Sequence, residues 1–132
     1  MHVDTHNRGP SLIVGVGEYS GGEVWQYTEN GRDIIPGGEV REALGDRWKE
    51  NLPIGSCARG RLLDCFEKFI EFDGNMPHMT ADYEGTRYTL VYFCNDRVIL
   101  CRPRLQGVLM RLNFHMPDLD YQAGDVGEKS IL

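Results

Sequence analysis

At 132 residues the chain has room for one domain with a real core and not for two. Hydrophobic residues make up 41% and charged residues 26% of it, which excludes wholesale disorder, and no apolar run approaches the length needed to span a bilayer. With 14 basic against 20 acidic side chains the net charge is −6, so a partner held through its phosphates is disfavoured and a protein or small-molecule substrate is slightly favoured over nucleic acid.

The chain opens on MHVDTHNRGP, which lacks the basic segment and apolar core of a secretory signal. His2 and Asp4 stand two apart, so in extended backbone both side chains point the same way and can grip one metal ion. So short a motif also arises by chance, and its ordinary alternative is a solvated terminus. His6 is a rival ligand, read as a neighbouring surface residue. Cys57, Cys65, Cys94 and Cys101 match neither a CxxC metal knuckle nor a dense disulfide scaffold. Reduced, mostly buried thiols in an intracellular protein, cytoplasmic or nuclear, are expected.

The β-branched run at positions 12–16 ends among glycines, and Ser20-Gly21-Gly22 turns the chain into the alternating stretch 23–27, which predicts a hairpin. A phosphate-cradling loop is excluded, because a strand pattern and not a helix follows Gly22. Asn30-Gly31 predicts a second hairpin into positions 32–35. Positions 39–51 carry Val40, Ala43, Leu44 and Trp48 at near-helical spacing, a short helix or irregular insert weakened by Gly45. Positions 61–72 fit a helix stripe about as well as two short strands joined near Glu67-Lys68, and the flanking glycine turns favour strands.

The most informative stretch is DGNMPHMTADYEGTRYTLVYF, positions 73–93. Asp73-Gly74-Asn75 and Pro77 place His78 on a chain reversal. From Thr86 onward strand parity sets Arg87 and Thr89 on one face and Tyr88, Leu90 and Tyr92 on the other. A guanidinium with a hydroxyl two residues on is a good grip for a carboxylate. Asn95-Asp96 then predicts a turn into a strand at 98–101, ended by Pro103. Leu105, Val108, Leu109 and Leu112 predict an amphipathic helix laid on the outer face of the sheet. His115 reads as structural and the tail from Tyr121 as loose.

The order His-x-Asp, then a distant His, then Arg-x-Thr nine residues later is that of a non-haem iron facial triad followed by an anion clamp. With the phrases HNRGPSLIVGVGEYSGGEVW and FDGNMPHMTADYEGTRYTLVYF, the chain resembles the Fe(II)/2-oxoglutarate-dependent dioxygenases, in particular their TET/JBP-like and prolyl-hydroxylase-like members. The resemblance covers most of positions 1–93. It implies a mainly β fold with a few helices, a double-stranded β-helix or jelly-roll. It also implies a fold that lacks its N-terminal part, since the family has a strand ahead of its His-x-Asp. One domain, 1–132, would comprise a core at 1–102 and a C-terminal helix and tail at 103–132.

By the same resemblance His2, Asp4 and His78 bind Fe(II), while Arg87 and Thr89 bind the far carboxylate of the co-substrate 2-oxoglutarate. With O2, an unidentified prime substrate is hydroxylated and succinate and CO2 are released. Two alternatives stand beside this enzyme: a non-catalytic cupin-like module that binds a ligand or metal, and an inactive fragment of a longer dioxygenase.

Overall fold

A computed structural model describes residues 1–35, 38–95, 97 and 101–113. Among these the fold is mainly β. The strands are β1 (Ser11–Gly21), β2 (Val24–Tyr27), β3 (Gly60–Leu63), β4 (Ile70–Phe72), β5 (His78–Thr80) and β6 (Tyr83–Tyr92), followed by the helix α1 (Pro103–Arg111). They form two antiparallel three-stranded sheets, ordered β4-β1-β6 and β3-β2-β5.

Register decides which side chains meet. Ile13 lies across from Ile70 and Val91, and Ser11 across from Phe72, so these share the inner face of the first sheet with Thr89 and Arg87, the partners of Gly15 and Gly17. In the second sheet Val24 and Gln26 face inward with their partners Leu63, Arg61, Thr80 and His78. Ile13, Val24, Cys65 and Phe72 form the core between the sheets, with Leu63 and Ile70 packed against it. Trp25 points the opposite way and is fully buried in a second core with Val40, Trp48, Leu52 and Ala58. The long β2–β3 connection therefore covers the back of its own sheet. Among its described residues the one regular piece is a single 3₁₀ turn at Asp46–Trp48, which drives Trp48 into that core.

Several expectations change. Positions 12–16 and 24–27 lie on strands, but not on one hairpin: β1 pairs with β4 and β6, and the chain crosses at Gly21-Gly22 into the other sheet. Asn30-Gly31 makes a turn closed by the Gly31 N–H on the Thr28 carbonyl, yet positions 32–35 add no strand. Both edges of β2 are already taken by β3 and β5, and only Asp33 bridges, to Gly60. The strand reading of 61–72 holds as β3 and β4, although the turn near Glu67, a left-handed residue at φ 54°, sends them to different sheets.

The helix forms with Pro103 in its first turn, where the missing N–H is harmless, but none of its residues is buried; it does not cover the sheet as expected. Of the four cysteines, only Cys65 is buried, which corrects the expectation of mostly buried thiols; Cys57 is exposed. The expected strand at 98–101 lies outside the described residues except for Cys101, which is a bend; His115 and the tail lie outside them entirely.

Candidate metal centre

The first residues of the chain are fastened to the second sheet. His2 and His78 exchange both backbone hydrogen bonds, each 3.0 Å long, and the Asp4 N–H donates to the Gly74 carbonyl at 2.8 Å. A short strand-like segment thus continues the sheet beyond β5, and it sets both side chains of the His-x-Asp pair beside His78. The ligand atoms of His2, Asp4 and His78 all lie within 4.8 Å of one another. His2 Nε2 is 3.9 Å from Asp4 Oδ1, and His78 Nε2 is 3.8 Å from Asp4 Oδ2. Two neighbouring ligands of one ion, each about 2.1 Å from it, stand roughly 3 Å apart, so a small inward swing of these side chains completes the site.

Each ligand has a local support. His78 is buried, with its Nδ1 2.8 Å from the Met76 carbonyl. A carbonyl only accepts, so Nδ1 carries the proton and Nε2 presents its lone pair toward Asp4. Burial holds the His78 pKa below its ordinary value, with the nearby His2 acting the same way; the Met76 hydrogen bond and Asp4 oppose this. The ring is therefore neutral, the form that binds metal, and it is steadied edge-on by Phe72 at 5.1 Å and by His2 at 4.2 Å between centroids.

Behind Asp4, the buried Asn7 amide reaches its Oδ2 at 3.4 Å and the Ser11 hydroxyl at 3.3 Å. The turn at Asp73 is closed by the Asn75 N–H on Asp73 Oδ1, and Gln26 Oε1 accepts from the Asp73 N–H at 2.7 Å. A larger residue at the next position would crowd the ligand's support: a Cβ on Gly74 would stand 2.6 Å from the Asn7 amide and 3.0 Å from Asp4 Oδ2. His6 is exposed and is not part of the converging group.

Arg87 and Thr89 project from β6 into the same interior, toward its other end. Arg87 reaches Cys65 Sγ at 3.7 Å and lies over the rings of Tyr19 and Tyr83 at 5.6 and 5.7 Å. Its Nε and the Tyr19 hydroxyl are both buried without a hydrogen-bond partner among the described residues. Gly22, at φ +77°, leaves the space this arginine needs, since a Cβ there would meet Arg87 Nε at 2.8 Å. Burial raises the pKa of the Tyr19 hydroxyl and Cys65 adds to it, with Arg87 opposing, so Tyr19 stays a neutral donor. The structure thus brings His2, Asp4 and His78 together. It sets Arg87 apart from them, across a core in which Phe72 touches His78 and Cys65 touches Arg87.

Tyr19 and Asn7 are the residues that sequence reasoning missed. Asn7 follows Asp4 by three positions with no motif to mark it. Tyr19 shares strand parity with Gly15 and Gly17, but its proximity to Arg87 follows only from knowing that β1 pairs with β6. Compared with protein-family models, with curated proteins and with solved structures, the chain gives no match.

Proposed function

We propose that this protein is an Fe(II)- and 2-oxoglutarate-dependent dioxygenase on a jelly-roll fold. The observation that carries the reading is the convergence of two imidazoles and one carboxylate, His2, His78 and Asp4, from segments more than seventy residues apart. The donor set fits iron: three ligands of this type hold one face of the ion and leave the other face for a chelating 2-oxo acid and O2. Ferrous iron held by His2, Asp4 and His78 would supply the oxidative chemistry, in which one oxygen atom of O2 goes to a C–H of the prime substrate and the other to 2-oxoglutarate, which loses CO2 to become succinate.

The protein's own part is to hold and to orient. His78 and His2 bind as neutral imidazoles and Asp4 as the anion, with Asn7 fixing the carboxylate and the Met76 carbonyl fixing the His78 tautomer. At the far end of the interior, Arg87 pairs with the distal carboxylate of 2-oxoglutarate. The Tyr19 hydroxyl donates to that carboxylate and Thr89 adds its hydroxyl, which gives partners to the buried Arg87 Nε and Tyr19 Oη.

Topology supports the jelly-roll reading. The segment holding His2 pairs with β5, β1 with β4 and β2 with β3, a nested antiparallel set centred on the β2–β3 connection. Folding such a ribbon over on itself makes two facing sheets. The test is anaerobic Fe(II) titration with an assay of 2-oxoglutarate-dependent succinate formation. About one iron per chain is expected, lost in His78→Ala. Arg87→Ala should keep iron while raising the 2-oxoglutarate requirement at least about tenfold, as for loss of a charged hydrogen-bond partner. Iron stoichiometry unchanged in His78→Ala would overturn the assignment.

A further inference from the structure

The inner face of the second sheet carries, in one row across its strands, His2, His78, Gln26 and Arg61. Arg61 stands two strands from His78, about 10 Å by the usual interstrand spacing. One step outward along the same edge the Thr28 N–H donates to the Arg59 carbonyl, so the ladder continues and parity puts Arg59 on the same face as Arg61. Two arginines therefore flank the metal-ligand end of the interior, opposite His2, in a chain whose net charge is −6.

Among the described residues neither has an acidic partner. Among the described residues the ion pairs are His2–Asp4, His78–Asp4 and Lys68–Asp64. Arg61 is half-buried, and its Nε is buried with no hydrogen-bond partner among the described residues. Asp64, the nearest acid along the chain, pairs with Lys68, and Asp33, whose carbonyl accepts from Trp25 Nε1, has its carboxylate engaged by the Leu62 N–H. A guanidinium taken partly out of water without a partner is costly, and its planar fork suits an oxyanion.

We propose that Arg61, with Arg59 beside it, binds an anionic group of the prime substrate, a carboxylate or a phosphate, about 10 Å from the metal ligands. The substrate is then a small-molecule acid, held by its charged end at Arg61 while the rest reaches toward His2, Asp4 and His78. This rests on the dioxygenase reading for what happens at the metal, but the anion site is tested without metal or turnover.

The experiment is calorimetric titration of the metal-free full chain at low salt with inorganic phosphate and with malonate, in an Arg87→Ala background that removes the other clamp. Saturable binding of one probe is expected, and the tighter of the two identifies the anion class. Adding Arg61→Gln should weaken it at least about tenfold, and Arg61→Lys by less. Arg59→Gln, at an exposed position, should also weaken it and decides the matter if Arg61→Gln fails to fold. No binding of either probe in the Arg87→Ala background, or affinity indifferent to both arginines, overturns the proposal. Absence of 2-oxoglutarate turnover with intact anion binding would instead count against the dioxygenase reading alone.

Discussion

The two sheets have the same number of strands and very different surroundings. The sheet β3-β2-β5 is covered on both faces, by the other sheet on the inside and by the β2–β3 connection with Trp48 and Leu52 on the outside. The sheet β4-β1-β6 presents Val16, Tyr88, Leu90 and Tyr92 on its outer face at 39–65% exposure. The candidate metal ligands sit accordingly: His78 lies on the doubly covered sheet, and His2 and Asp4 are tied to its edge. A metal site needs ligands that do not move with every surface fluctuation, and two-sided packing supplies that. Arg87, by contrast, reaches inward as a long side chain from the sheet whose outer face is exposed.

The contrast is broken most directly at Trp25. It is fully buried, it anchors the second core, and its Nε1 donates to the Asp33 carbonyl at 3.0 Å. Trp25→Ala should lose about 3–5 kcal/mol in denaturant unfolding, enough to unfold a small domain. A loss below about 1 kcal/mol would mean that the β2–β3 connection does not support the sheet as described.

A smaller effect is expected from pH. His78 has a folded-state pKa below its ordinary value of 6.5 because burial disfavours its charged form. The unfolded chain therefore takes up this proton first as pH falls. Stability of the metal-free protein should be fullest above the unfolded value, decline as pH drops below it, and level off once the folded form also protonates. Urea midpoints at pH 8 and pH 5.5 should differ in that direction in the native chain and by less in His78→Gln. A midpoint that rises on acidification would contradict the buried, neutral ring.

The smallest effect belongs to the bare face. Tyr88 is 65% exposed, and Tyr88→Thr keeps a residue suited to a strand, so its cost should stay within about 0.5 kcal/mol. A markedly larger loss would reveal that this face is covered in solution, and the two sheets would then be alike.

What the sequence by itself determined is local. Glycine and asparagine chemistry marked the turns at Gly21-Gly22, Asn30-Gly31 and Asp73-Gly74, because backbone conformations with positive φ or a side-chain-closed turn depend on a few adjacent atoms. Strand parity put Arg87 and Thr89 on one face for the same reason, and the spacing of His2 and Asp4 put them on one side of an extended segment. Partnership was another matter. That β1 pairs with β4 and β6, that the Asn30 turn leads to no strand, and that Tyr19 stands beside Arg87 depend on contacts between residues tens of positions apart. Such pairings are set by which apolar faces can be buried together, a property of the whole chain and not of any window in it. The approach of His78 to His2 and Asp4 belongs to the same class. The motif order named the three residues, but the backbone pair between His2 and His78, which only the folded sheet provides, is what brings them within reach of one ion.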